Sequence, residues 1–334
     1  MTDLVEIAKS LFALGKGLLA DDETNPHADR WLAEHGIEGG PEMRRKFRNL
    51  FLAAPGAADY ISGVILFTET LTQNADDGRP FTEILASAGI APGVKVDEGT
   101  EPLPESPHEL ITKGLIGLAD RLAPYRAAGA KFTKWRAVVT IEGDTLPSAP
   151  ALVENAKRLA GFARTCQEVG LVPILEPEVL HTGKHSRLRA KAVITDTLKI
   201  LFKILEEQSV DRTALIIKTS MVLSGTDGGG TDTPEQVAGD TLDALMEAVP
   251  RDVPGIVFLS GGQTPDEATA NLAAISVEAK KRKASWPLTF SYARALQDEA
   301  LGIWKGKEEN IAPARAAYLS RLKKVSEASL EVTM

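Results

Sequence analysis

Cysteine is almost missing from this 334-residue chain, where Cys166 stands alone. No intramolecular disulfide and no cysteine metal cluster can form. Aromatic residues are scarce, at 5%. The core must therefore be built from Ala, Leu, Val and Ile, the side chains that pack where helices cover parallel strands. No apolar run approaches the about 18 residues that a membrane helix needs, so no membrane partner is expected. The N-terminus carries Asp3 and Glu6 where a signal peptide would carry basic residues before an apolar stretch. No signal peptide is expected, and a cytoplasmic location is. A basic excess is lacking too. The formal net charge is -8, which argues against nucleic acid as a partner because phosphate-backbone binding needs a basic face. An anionic small molecule stays open, since a local basic pocket can bind one inside an acidic protein.

What is present is a repeated theme: a short apolar strand, a polar residue at its end, then an amphipathic helix. The candidate strands are residues 18–22, 63–67, 93–97, 132–139, 171–178, 214–222, 255–262 and 287–294. Leu152, Ala156, Leu159, Ala163 and Cys166 recur at helical spacing. Thr233-Pro234-Glu235 and Thr264-Pro265-Asp266-Glu267 are helix starts, with a hydroxyl to cap, a proline pre-set for the first turn and acids at the positive end. A further helix is expected around 44–52, and a weakly patterned C-terminal tail from about 318. Eight such units without a linker predict an α/β fold, a single-domain (β/α)8 TIM barrel over residues 1–334. The rival is a doubly wound open sheet. It usually shows a glycine-rich turn after the first strand, whereas here that strand runs into Asp21-Asp22-Glu23.

In such barrels chemistry sits at the C-terminal ends of the strands. The polar residues there are Asp22, Lys95 with Asp97, Lys134 with Arg136, Glu176 with Glu178, Lys218, Ser260 with Gly261 and Gly262, and Ser291 with Arg294. Residues two apart on a strand share a face, so three of these are same-face pairs. Charges facing a barrel interior are costly unless paired or functional. Lys218 ends an apolar run and reads either as a lysine snorkelling to the rim or as a nucleophilic amine. In the second case burial and cationic Lys134 would lower its pKa. Glu176 and Glu178 are salt-bridge partners or general acid/base groups. Asp22 either caps the next helix or handles a substrate hydroxyl. The Ser260-Gly261-Gly262 turn before a helix start is a plain turn or an anion site, with Arg294 as a bidentate partner.

Other signals carry less. Glu178, His181 and His185 have ligand-like spacing but no accompanying cluster, so no metal is expected. Residues 225–233 are glycine-rich yet lack the Lys-Ser/Thr of a nucleotide loop, and a flexible loop is expected there. Lys280-Lys281-Arg282-Lys283 reads as a solvated helix end, and Cys166 as a buried inert thiol.

Taken together the segments KGLLADDET (16–24), GVILFTET (63–70), ADDGRPF (75–81), GVKVDEG (93–99), KFTKWR (131–136), VPILEPEVL (172–180), IKTSMV (217–222), FLSGGQ (258–263) and LTFSYARALQ (288–297) closely resemble class I fructose-bisphosphate aldolase, over most of the chain. The resemblance implies a metal-independent lyase, without cofactor, that cleaves a phosphorylated sugar through a lysine Schiff base. It also implies a homo-oligomer, commonly a tetramer. It matches Lys218 to the Schiff-base lysine, Glu176 to the general acid/base and Glu178 to its electrostatic neighbour. Lys134 matches the lysine that supports imine formation, and Asp22 the aspartate that holds substrate hydroxyls and assists C–C cleavage. Ser260, Gly261, Ser291 and Arg294 match the phosphate site of the dihydroxyacetone end. Lys95 and Arg136 match residues placed toward the second phosphate. The chain departs from animal and plant patterns at Thr24-Asn25-Pro26-His27, with Arg30 the nearest cation, at Ala293, and in its last tyrosine, Tyr318. A pyridoxal-dependent barrel, a metal-dependent aldolase and a catalytically silent scaffold are the alternatives.

Overall fold

A computed structural model describes residues 2–330. Its strands are β1 (Gly17–Asp21), β2 (Ile61–Leu66), β3 (Ala91–Lys95), β4 (Thr100–Leu103), β5 (Ser106–Thr112), β6 (Phe132–Val139), β7 (Val172–Val179), β8 (Ile216–Thr219), β9 (Ile256–Phe258) and β10 (Leu288–Tyr292). The α-helices are α1 (Thr2–Ser10), α2 (Asn25–Glu34), α3 (Pro41–Leu52), α4 (Phe81–Ser87), α5 (Leu118–Ala127), α6 (Ala149–Val169), α7 (Arg187–Glu207), α8 (Pro234–Ala248), α9 (Pro265–Arg282), α10 (Arg294–Trp304) and α11 (Ile311–Leu330).

Eight of the strands close into a parallel barrel in the order β1-β10-β9-β8-β7-β6-β3-β2. They are the eight segments expected from sequence, each within a few residues of its expected bounds. Side chains alternate along each strand, so every strand serves two cores. Outward residues such as Leu19, Val64, Trp135, Leu175 and Ile217 pack under the helices in one large cluster. Inward residues Leu18, Ile65, Phe132, Val172, Ile174, Ile216 and Val257 fill the lower barrel, plugged from below by Leu4, Ala8 and Leu11. Phe132 takes so much of this space that a Cβ on Gly93 would lie 2.2 Å from its ring. A side chain at 93 is thereby excluded, whatever its chemistry. Following β6 upward, the inward positions change from Phe132 to Lys134 to Arg136. The barrel is apolar below and charged at its mouth.

Both expected helix starts are real. Thr233 and Thr264 each form a capping box, with Gln236 and Glu267. The helix expected around 44–52 is α3, preceded by α2. One expectation is corrected. Residues 318–330 are not a tail but the later part of the twenty-residue α11, with Ala314, Tyr318, Leu322 and Val325 buried; the rest of the expected tail lies outside the described residues. Its stripe is interrupted by Arg321, which is itself buried on Asp266 (2.7 Å) and Glu299 (3.4 Å). That charge hid the periodicity. The proline-rich stretch around 100–112 forms β4 and β5, an antiparallel hairpin standing outside the barrel. Residues 225–233 form a loop that leads into α8, in which Asp232 accepts from Ser224 N (2.6 Å), Ser224 Oγ (2.9 Å) and Arg187 Nη1 (2.7 Å). Among the described residues no helix is long and apolar enough to cross a membrane.

Candidate active site

The C-terminal ends of the barrel strands open into a cavity of about 740 Å³. All twelve site residues expected from sequence line it: Asp22, Lys95, Lys134, Arg136, Glu176, Glu178, Lys218, Ser260, Gly261, Gly262, Ser291 and Arg294. Strand register brings them together. Lys95 pairs with Lys134 across β3 and β6, and Arg136 pairs with Glu176 across β6 and β7.

At the cavity floor four charges alternate. Lys218 Nζ lies 3.0 Å from Glu176 Oε1, Lys134 Nζ lies 2.7 Å from Glu176 Oε2, and Lys134 Nζ lies 2.7 Å from Asp22 Oδ2. Lys134, Glu176 and Lys218 are buried. Such a cluster persists only because each charge faces its opposite. Burial works to raise the Asp22 carboxyl, but Lys134, Lys218 and Lys95 outweigh it and hold the group well below the usual carboxylate range. Glu176 behaves alike: burial opposes its charge, while Lys134 and Lys218 keep it ionised. Burial also opposes the charge on Lys134, yet Asp22, Glu176 and Asp97 hold it a permanent ammonium. The helix-cap role open for Asp22 is not what it does. Thr24 is the residue at the start of α2, and Asp22 turns inward to Lys134.

Asp22 binds its proton less readily in the folded chain than at its ordinary value of 3.8. The stability it contributes is therefore whole above that value and is lost as pH falls below it, through the lowered folded value. The melting temperature of the wild type should exceed that of Asp22→Asn at neutral pH. The gap should shrink on acidification below pH 3.8. A gap independent of pH would contradict the ion pair.

A second tier of charge lies above. Lys95 Nζ is 3.2 Å from Asp97 Oδ1. Glu178 pairs with Arg136, which leaves Glu176 alone between the two lysines. Across the cavity, Gly261 and Gly262 take positive φ (+58° and +86°), a conformation that favours glycine. Beside them the Ser291 hydroxyl is buried and, among the described residues, has no protein partner. Arg294 stacks over Trp31 (5.2 Å) and reaches Glu34 (3.3 Å), half exposed at the rim. The start of α9 is less open to an anion than its position suggested. Thr264 Oγ1 accepts from Glu267 N, and the Glu267 carboxylate returns to Thr264 N (2.8 Å). An anion here would be left with the loop amides, Ser291 and Arg294.

Thr24, His27 and Gln263 also line the cavity. Arg30, the cation nearest in sequence to the Thr24 departure, is exposed on α2 and is not among the lining residues; the α2 side chain that lines the cavity is His27. The place of Thr24 and His27 follows from β1 ending at the mouth, so that α2 must begin there, and that of Gln263 from the turn between β9 and α9. His181 Nδ1 donates to Gly261 O (3.1 Å). Among the described residues no group of three or more His, Cys, Asp or Glu could hold a metal ion. Cys166 is buried against Thr133 Oγ1 (3.1 Å), and burial pushes its thiol well up.

The model of fructose-bisphosphate aldolase class-I matches residues 3–333. The chain belongs to the class I fructose-bisphosphate aldolase family. Among its relatives are cytosolic fructose-bisphosphate aldolase 4 of Arabidopsis thaliana, 44% identical over 98% of this chain and 83% of that one. A fructose-bisphosphate aldolase of Drosophila melanogaster is 46% identical over 96% of this chain and 88% of its own. A fructose-bisphosphate aldolase from Plasmodium falciparum, solved with TRAP and a small-molecule inhibitor, has a TM-score of 0.96 at 39% identity, covering 98% of this chain and 94% of that one. A class I aldolase barrel with all twelve expected residues in one cavity is hard to reconcile with the scaffold alternative.

Proposed function

We propose that this aldolase-family enzyme is a lyase that cleaves fructose 1,6-bisphosphate to dihydroxyacetone phosphate and glyceraldehyde 3-phosphate, with Lys218 as the Schiff-base nucleophile. The observation that carries the assignment is a buried amine 3.0 Å from a carboxylate, at the mouth of a barrel.

Attack requires a neutral amine. Glu176 takes the proton from the Lys218 ammonium, and the amine adds to C2 of the open-chain ketose. The resulting carbinolamine hydroxyl leaves as water with a proton returned by Glu176, giving a protonated imine. A carboxylate, Asp22 or Glu176, then takes the C4 hydroxyl proton. The C3–C4 bond breaks, its electrons flow into the imine, and glyceraldehyde 3-phosphate departs from an enamine. Protonation at C3 and addition of water release dihydroxyacetone phosphate and restore the amine. The protonated imine is the electron sink throughout, so the scheme includes no metal and no cofactor. Fixed charges on Lys134 and Asp22 meet the transition state without reorganising.

Ser260, Gly261, Gly262, Ser291 and Arg294 are assigned to the phosphate of the dihydroxyacetone end, and Lys95 and Arg136 to the second phosphate. Glu178 holds Arg136. The proposal places the protein in the cytoplasm, in glycolysis or gluconeogenesis, as one barrel domain over residues 1–334 in a homo-tetramer, without nucleic-acid or membrane partners.

The test is borohydride reduction in the presence of dihydroxyacetone phosphate and a chelator, followed by peptide mass mapping. A reduced adduct on Lys218 is expected. An adduct on no lysine would leave the family's fold without its chemistry.

A further inference from the structure

Beneath the Asp22 side of the cavity lies a second buried ion pair that the scheme above does not touch. Neighbouring residues on a strand point to opposite sides. Asp22 turns to the cavity, so Asp21 turns out under the helices, where it is fully buried. Most outward positions on the barrel strands are apolar, Leu19 among them, and a carboxylate there is costly unless it is paired. It is paired: Arg48 Nη1 from α3 donates to Asp21 Oδ1 at 2.6 Å, and Gln297 Nε2 from α10 donates to the same oxygen at 2.8 Å. The other arm of the same guanidinium, Nη2, donates to the backbone carbonyl of Glu23 at 3.0 Å. Arg48 is itself buried. One rigid fork therefore grips the residues immediately before and after Asp22, on the side opposite the cavity.

We propose that Arg48 is a positioning residue for Asp22: its two arms, on the Asp21 carboxylate and the Glu23 carbonyl, fix the backbone on either side of Asp22 and so aim its carboxylate at Lys134 and the substrate. The inference rests on the assignment of Asp22 to C–C cleavage. A packing residue would need only bulk at this place, and a simple ion pair would need only one arm. The planar fork serves two acceptors at once, which a lysine ammonium on a flexible stem does not reproduce. Small losses of alignment at a reacting carboxylate are costly in rate even when binding is unaffected.

The test uses Arg48→Lys, which keeps a positive charge beside Asp21 but loses the two-armed grip. Cleavage of fructose 1,6-bisphosphate should slow about tenfold in kcat, with KM little changed. Borohydride trapping of dihydroxyacetone phosphate on Lys218, which does not call on Asp22, should proceed at the wild-type rate. In an Asp22→Asn background the same Arg48→Lys change should cost nothing further, because its effect passes through Asp22. A second variant, Asp21→Leu with Arg48→Met, removes both buried charges together so that neither is left unpaired. It should show the same split between slowed cleavage and intact trapping. An unchanged kcat in Arg48→Lys, or an equal loss in the Asp22→Asn background, overturns the positioning role. Wild-type cleavage by Asp22→Asn itself overturns the assignment of Asp22, and the purpose of the fork with it.

Discussion

Lys218→Met should abolish turnover while leaving the barrel folded. The substitution keeps the length of the side chain and fills the same buried space, so packing against the barrel interior changes little. What it removes is the only group assigned to make the covalent bond. Without an imine the C3–C4 electrons have nowhere to go, and the neighbouring charges cannot substitute for a sink. A loss in kcat on the order of 10⁴-fold or more is expected. Glu176 keeps its contact with Lys134, 2.7 Å away, so the charge cluster is trimmed rather than broken. The melting temperature should stay near that of the wild type. Two measurements check this: turnover of fructose 1,6-bisphosphate at saturation, and thermal unfolding. Substantial residual cleavage in a well-folded variant would sink the mechanism.

The location of the site was legible in the sequence because barrel geometry converts it into a pattern. A polar residue ending an apolar strand can be read without coordinates, and closure of the barrel then brings eight strand ends to one place. Lys218, Glu176 and Lys134 were found in this way. The pairing among the charges was not legible. Glu176 and Glu178 look equivalent in the sequence, on one face of β7. The β6–β7 register sets Arg136 opposite Glu176, and only the side-chain geometry gives Arg136 to Glu178 and leaves Glu176 between Lys134 and Lys218. The capping box at Thr264 was visible as residue types, yet its consequence, a helix start already supplied with a carboxylate, needed geometry. Asp21 was read only as part of an acidic run. Strand alternation alone would have sent it to the helix side, where a buried carboxylate demands a cation, but nothing in the sequence says that the cation is Arg48. The α11 helix was missed for a related reason, since buried Arg321 interrupts its apolar stripe and its partners Asp266 and Glu299 lie on other elements.

Glu176→Gln should do more than slow one step, because among the described residues Glu176 is the one anion within ion-pair distance of both buried lysines. A glutamine can still accept a hydrogen bond, but it cannot take the proton that Lys218 must lose before attack. Formation of the imine, and with it cleavage, should fall by about 10²- to 10⁴-fold, the usual contribution of a positioned acid/base group. This separates it from Asp22→Asn, which should trap dihydroxyacetone phosphate normally and fail later. The substitution also leaves two buried ammonium groups facing one carboxylate. Removing one partner of a buried pair typically costs about 3–5 kcal/mol, so a lower melting temperature is expected as well. The two effects can be pulled apart. Adding Lys218→Met to Glu176→Gln removes the ammonium left alone while Lys134 stays paired with Asp22 at 2.7 Å, and should recover much of the lost thermal stability. The melting temperature of that pair reports the cost of the unpaired charge, whereas the trapping rate of Glu176→Gln, which keeps Lys218, reports the missing proton acceptor. If Glu176→Gln alone trapped the substrate at the wild-type rate, the proton from Lys218 would have to leave by another route, and Asp22, the other carboxylate at the cavity floor, would inherit the role.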